Sequence, residues 1–250
     1  MEGLQKWLAR LTLAAACVSA VMLIGAGVGH RFGVVDFKTG VLAVQLAILG
    51  CAIAVVAALV VGLLGLTGAR AQGRGQAFVG FLVAMATAAF PLYTAYQARV
   101  EIAEMRGGGL PIHDVTTDTE DPPVFVALLP LRAKAFNPAD YGGPEVAAVQ
   151  VKLYPDIKPH LNEATPAELF ARAKAAAEAM CWEIVDANAD QGRIEATATT
   201  LFFGFKDDVV IRIRSEGAGS RLDIRSVSRE GLSDLGVNAK RIREFMTKLG

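Results

Sequence analysis

Three long runs without a charged side chain occupy most of the first 100 residues. They cover residues 11–29, 39–69 and 75–98, which is 19, 31 and 24 residues respectively. An α-helix rises about 1.5 Å per residue, so it needs about 20 residues to cross about 30 Å of hydrocarbon. The sequence therefore predicts a membrane domain over residues 1–100, with three transmembrane helices at about 9–29, 41–66 and 77–97.

The composition agrees with an integral membrane protein. Hydrophobic residues make up 53% of the chain, and its mean hydropathy is +0.39, above the usual range of soluble domains. The 25 Lys and Arg residues balance the 25 Asp and Glu residues. This balance argues against a basic nucleic-acid-binding protein, and it leaves the lipid bilayer as the partner that the sequence requires.

The first apolar run has a second interpretation, as a cleavable signal peptide. Lys6 and Arg10 precede it, and the residues 14–17 are similar to a lipoprotein cleavage box that ends at Cys17. A signal sequence normally stops being apolar at its cleavage site, whereas this run stays apolar as far as Val28. The sequence therefore favours a retained span.

Basic residues give little preference for either orientation in the membrane. Four lie on each side: Lys6, Arg10, Arg70 and Arg74 against Arg31, Lys38, Arg99 and Arg106. The loop that carries Arg70 and Arg74 has no acidic residue, which favours the cytoplasm for that side. We expect a multi-pass protein of the bacterial inner membrane whose carboxy-terminal domain lies in the periplasm.

Residues 101–164 differ in composition from the membrane domain. The glycines 107–109 are typical of a linker, and the segment has ten acidic residues against five basic ones. Periodic patterns are few here, so we expect an acidic, mostly irregular lead-in.

The sequence over 165–250 predicts an α+β domain. Thr165, Pro166 and Glu168 begin one helix, and a second helix over about 237–249 has Ser233 or Asp234 as its cap. Strands with alternating apolar residues are predicted at 182–185, 192–202, 208–214 and 220–227. The expected fold is an antiparallel sheet with two helices packed on one face and a solvated, charged second face.

Several separated blocks of residues point to a known family. They are 112–119 (IHDVTTDT), 121–123 (DPP), 154–157 (YPDI), 192–197 (GRIEAT), 203–212 (FGFKDDVVIR) and 233–242 (SDLGVNAKRI). Together they closely resemble the bacterial family catalogued as domain of unknown function 1499, over about 111–250. The resemblance implies a few membrane spans ahead of the domain, and it brings no established reaction. Cys181 departs from the glycine that is usual in the family, and Leu201 from a more typical aromatic residue.

Two sets of polar residues are candidate sites in the second half of the chain. Oxygen ligands and one imidazole are concentrated at His113, Asp114, Asp118, Glu120 and Asp121 and would suit a cation, although the same residue types are common in turns. Binding of an anion, a lipid headgroup or a protein partner is predicted for Arg212, Arg225, Ser228, Arg229, Ser233, Asp234, Asn238 and Arg241. Cross-strand ion pairs and helix capping are the alternatives for this second set.

Two classes of function are compatible with these patterns. The first is a membrane-anchored, non-catalytic envelope module that binds a protein partner or a lipid-derived ligand. The second is an enzyme, for example a hydrolase, that uses a polar cluster near Asp207, Asp208, Arg225 and Asp234. We expect no cofactor, because the sequence has neither a phosphate-binding loop nor a dinucleotide fingerprint.

Overall fold

A computed structural model describes residues 2–66, 73–105 and 111–250. The predicted glycine linker at 107–109 and Arg70 of the second loop lie outside the described residues. The chain forms two compact units, one over residues 1–98 with 201–204 and the other over 99–200 with 205–250.

The three predicted spans are confirmed as long helices: α1 Glu2–Arg31, α2 Phe37–Leu66 and α3 Arg74–Met105. Within the described residues, the segments long and apolar enough to cross a membrane are Gly3–Arg31, Phe37–Leu64 and Arg74–Tyr96. Gly3–Arg31 ends and Arg74–Tyr96 begins at an arginine that bounds an apolar run, and Phe37–Leu64 begins next to Lys38. Charge placement therefore marks one boundary of each span.

Small residues allow the three helices to approach one another closely. A Cβ atom on Gly50 would lie 2.2 Å from the Ser19 hydroxyl oxygen, and one on Gly80 would lie 2.9 Å from the backbone nitrogen of Leu13. Alanines and a cysteine fill the interior between the helices: Ala16, Cys51, Ala54, Ala84 and Ala88. In a bilayer such contacts provide the dispersion energy that holds helices together, since lipid tails are as apolar as the side chains.

The second unit contains ten further elements around one antiparallel sheet. They are β1 Asp114–Thr116, a 3₁₀ turn Pro130–Arg132, α4 Gly143–Leu153, β2 His160–Asn162, α5 Pro166–Ala179, β3 Glu183–Asn188, β4 Arg193–Thr199, β5 Lys206–Glu216, β6 Gly219–Ser228 and α6 Val237–Leu249. The strand order is β1-β6-β5-β4-β3, and β2 also pairs with β6. Strand β1 pairs with β6 near Val227, whereas β2 pairs with it near Leu222, towards the other end of the strand.

One face of the sheet carries the hydrophobic core, as the alternating pattern predicts. Helices α5 and α6 pack there, and Trp182 stacks on Phe245 with ring centroids 5.5 Å apart. The predicted capping box of α5 is present, because Thr165 and Glu168 bond to each other's backbone nitrogen atoms. The fold class is therefore confirmed. The cap of α6 is a correction: the residue is Gly236, in a left-handed conformation, and neither Ser233 nor Asp234.

The opposite face is covered, and here the expectation of a solvated surface is wrong. Glu195, Asp208 and Asp223 are fully buried, and Arg225 is 1% exposed. The segment 117–141 lies over these residues, and its backbone and side chains replace water as their hydrogen-bond partners. Alternation shows that two faces differ in polarity, but it contains no information on which distant segment will cover the polar one.

Candidate functional site

Glu195 and Asp208 anchor the covering segment to the charged face of the sheet. The Glu195 carboxylate accepts hydrogen bonds from the backbone nitrogens of Val126, Ala127 and Leu128, at 2.9, 3.1 and 2.9 Å. The three donors are consecutive, so a single side chain fixes the path of this loop.

Asp208 lies between two arginines from different parts of the chain. One carboxylate oxygen is 2.6 Å from Arg132 Nη1 and 2.8 Å from Arg229 Nε. The other accepts from Arg229 Nη2 at 2.8 Å and from the Thr197 hydroxyl at 2.8 Å. Arg229, a predicted ligand-binding residue, therefore already has an internal carboxylate as its partner.

Arg225, another predicted ligand-binding residue, is enclosed by the protein. Its Nε and Nη2 atoms donate to the two oxygens of Asp114 at 2.9 and 2.6 Å, and carbonyl oxygens of Pro123 and Ala139 accept the remaining bonds. The guanidinium carbon lies 5.3 Å from the Phe125 ring centroid and 5.4 Å from that of Tyr141. This geometry combines a bidentate ion pair with two cation–π contacts, so its role is structural.

The Tyr141 hydroxyl beside this pair is buried and has no hydrogen-bond partner among the residues that the structure describes. Burial raises the pKa of Tyr141 to about 12, and the Asp114 carboxylate adds to the increase while Arg225 opposes it. The neutral phenol is therefore the form present at physiological pH.

The predicted polar cluster at the beginning of α6 is brought together by the fold. The Ser226 hydroxyl donates to Asn238 Oδ1 at 2.6 Å, and Arg241 Nη1 donates to that hydroxyl at 3.0 Å. Asn238 Nδ2 donates to the Ser228 hydroxyl at 3.0 Å, and Asp234 accepts from the Asn238 backbone nitrogen at 2.7 Å. Ser233 is only at the margin, where its hydroxyl accepts from the Leu235 nitrogen.

The proposed enzymatic cluster is divided between the two faces of the sheet. Asp207 points to the helix face, where Arg241 donates to it, whereas Asp208 points to the covered face and its arginines. Neighbouring residues in a strand project to opposite sides, so these two carboxylates cannot act on one substrate atom. Arg225 shares the covered face with Asp208, and Asp234 lies beside α6.

The candidate metal ligands have other partners. Asp114 pairs with Arg225. Asp118 pairs with arginines of β5 and β6, and Asp121 with arginines of β5. His113 Nδ1 lies 3.4 Å from the Leu232 carbonyl oxygen. Within residues 2–66, 73–105 and 111–250, groups of three or more His, Cys, Asp or Glu side chains that could hold a metal ion do not occur. Because guanidinium groups neutralise them, these carboxylates form ion pairs in place of a cation site.

Arg214 and Arg221 line a polar depression at one end of the sheet, which we call the arginine depression, and Arg212 shares their carboxylate partners. Arg212, Arg214 and Arg221 each contact Asp118, and all three also bond to Asp223. The depression has a volume of about 460 Å³ and includes Asp121, whose side chain is 68% exposed. Arg212 Nε is buried and unpartnered among the described residues.

Some residues that organise this face were not found from the sequence. Arg132 and Glu195 looked like ordinary surface charges, and Phe125 and Tyr141 lay in a segment with little periodicity. The one available signal was the position of Glu195 within a strand between apolar residues, which predicts its face but not its partners.

Comparison with known proteins identifies a family that matches the domain. A family whose model is described as "Protein of unknown function (DUF1499)" matches residues 114–249, a range that includes the covering segment and the whole sheet. A search of curated proteins gave no match.

Proposed function

The chain belongs to the family described as Protein of unknown function (DUF1499), and we propose that it is a membrane-anchored, non-catalytic module that binds a partner. The partner is a protein or a lipid-derived ligand of the cell envelope. The arginine depression carries the proposal, because Arg212 of the predicted binding set lies beside Arg214 and Arg221, whose side chains are 40% and 23% exposed.

The exposure of the ion pairs in this depression suits exchange with a partner. Arg214 and Asp121 are 3.1 Å apart, with side chains 40% and 68% exposed. A pair this exposed contributes at most about 1 kcal/mol, so a carboxylate or phosphate of a partner can replace Asp121 at small cost. Asp223 beneath them is fully buried and holds the arginines in place. The depression therefore offers pre-oriented guanidinium groups, which bind planar anions in a bidentate manner.

Affinity capture from membranes of the native host tests the proposal, with mass spectrometry of proteins and lipids. Arg214→Gln and Arg221→Gln should lose a partner that the wild-type protein retains. Arg243→Gln is the control, because Arg243 is an ion-paired, exposed arginine outside the depression, with Asp156 as its partner. If all three variants capture the same partners as the wild type, the arginine depression is not the binding surface.

The proposed location is the inner membrane, with the domain on the periplasmic side. The support is the second loop of the helical unit, whose two arginines have no acidic neighbour. A reporter active only in the periplasm, fused after Gly250, should be active. Activity of a cytoplasmic reporter at the same position would reverse the orientation.

A further inference from the structure

An apolar surface lies at the end of the sheet where the chain enters the domain from the third span. We call it the tether-end rim and define it by Leu129, Leu131, Phe136, Leu232 and Leu235. Phe136 is 70% exposed, Leu232 is 68% exposed and Leu131 is 55% exposed. Large apolar side chains this exposed, and on neighbouring loops, mark an interaction surface.

Backbone hydrogen bonds hold the rim at the point of entry. The Ser228 nitrogen donates to the His113 carbonyl oxygen at 3.0 Å, and the Asp234 nitrogen donates to that of Ile112 at 3.2 Å. The loop that carries Leu232 is thus bound to the first residues of the domain. The Asn137 nitrogen donates to the Arg229 carbonyl oxygen at 3.0 Å, which brings the segment of Phe136 to the same end.

The chain between the membrane and this end is short. The third candidate span ends at Tyr96, and β1 begins at Asp114. The helical residues 97–105 of α3 add about 14 Å, and residues 106–113 reach at most about 28 Å. This reach is comparable to the diameter of a domain of this size, about 35–40 Å. The rim is therefore kept at high effective concentration next to the lipid surface.

We propose that the tether-end rim inserts its apolar side chains into the interfacial region of the bilayer that anchors the chain. The occupant is phospholipid, because tethering makes the bilayer the closest apolar phase to the rim. Leu and Phe side chains at this depth exchange water for acyl chain, as the apolar face of an interfacial helix does. Partner binding at the arginine depression does not depend on this contact.

Tryptophan fluorescence of the full chain in phosphatidylcholine vesicles tests the proposal. In a Trp7→Phe background, Leu232→Trp and Phe136→Trp each place a probe on the rim, and the buried Trp182 is the constant baseline. Leu161→Trp is the matched control, because Leu161 is 67% exposed and lies on β2, which pairs with β6 towards its other end. All three positions face solvent, so the variants should fold, and an unchanged urea midpoint confirms this.

Acyl chains brominated in the vesicles should quench the L232W and F136W probes at least twofold, and acrylamide should quench them weakly. The L161W probe should show the reverse. If acrylamide reaches all three equally and bromolipid reaches none, the rim is in water and the proposal fails. Equal quenching of all three by bromolipid also overturns it, since the contact would then not be specific to this end. Partner capture by the arginine depression is measured separately, so failure of one proposal does not imply failure of the other.

Discussion

Cys181→Gly should stabilise the domain, although it removes a side chain. Helix α5 ends in two backbone hydrogen bonds, from the Cys181 nitrogen to the Glu178 carbonyl oxygen at 2.9 Å and from the Trp182 nitrogen to that of Ala177 at 3.2 Å. This is the pattern of a Schellman motif, whose first residue after the cap adopts a left-handed conformation. Cys181 does so, with φ +57°, and its side chain is exposed.

The magnitude follows from two opposing effects. A residue with a Cβ atom loses about 1–2 kcal/mol in the left-handed region relative to the right-handed one. Glycine avoids this strain, but it costs about 0.5–1 kcal/mol because its unfolded state has more backbone freedom. The exposed thiol contributes little packing energy, so we expect a net gain of about 0.5–1 kcal/mol in the free energy of unfolding.

Urea unfolding of the full chain in detergent micelles measures this gain through Trp182, which is 7% exposed and adjacent to the substitution. Trp7→Phe in every variant isolates the signal. With a slope of about 2 kcal/mol per molar urea, the midpoint should rise by about 0.25–0.5 M. Cys181→Ala keeps the strained Cβ atom and should show at most a small change.

Ala175→Gly is the matched control for glycine itself, because Ala175 lies exposed in the interior of the same helix. It should lower stability by about 1 kcal/mol. If Cys181→Gly is no more stable than Cys181→Ala, the left-handed backbone at this position carries no strain and the reasoning is refuted.

Three further substitutions, one of them with a control at an exposed ion pair, test polar groups of the domain. Tyr141→Phe should leave the free energy of unfolding unchanged or raise it by up to about 1 kcal/mol, because the lost hydroxyl has no partner among the described residues; a urea midpoint well below that of the wild type would contradict this. Asp208→Asn should lower it by about 3 kcal/mol or more, since two buried arginines lose their counter-charge, whereas Asp156→Asn, at an exposed pair, should cost less than about 1 kcal/mol. Burial, with a contribution from Arg172, lowers the pKa of His160 in the folded state. The unfolded state therefore binds more protons at pH values between the two pKa values. The wild type should lose stability as the pH falls from about 6.5 to the folded-state pKa. His160→Gln should flatten that part of a pH series of urea midpoints; an unchanged slope would mean that another group is responsible.

Membership of the family indicates which of these results apply to other members. The fold and its buried ion pairs lie within the matched residues 114–249, and the spans lie before them. Stability measurements on the ion pairs therefore concern the part of the chain that the family shares. The proposed bilayer contact of the tether-end rim concerns how the domain is attached to the membrane.

Much of the architecture was determined by the sequence alone, because its signals are local. The spans follow from runs of uncharged residues, and α5 from a cap and a stripe of apolar residues such as Leu169 and Ala173. The strands follow from alternation, which also assigned Ile211 and Arg212 to opposite faces. Each of these signals depends on residues that are close to one another in the sequence, within a single helix or strand.

The roles of the charged residues depend on contacts between distant parts of the chain, which form only in the folded domain. Glu195 bonds to the backbone at 126–128, and Arg132 bonds to Asp208, contacts that join residues 67–76 positions apart. The sequence cannot distinguish an arginine that is available to bind a ligand from one that is paired with a distant carboxylate, because both have the same pattern of neighbouring residues. A charge can be buried at an acceptable cost in free energy only where a partner lies within hydrogen-bonding distance, and the fold provides such partners for the buried charges of the sheet. The arginine depression and the tether-end rim stay in contact with solvent.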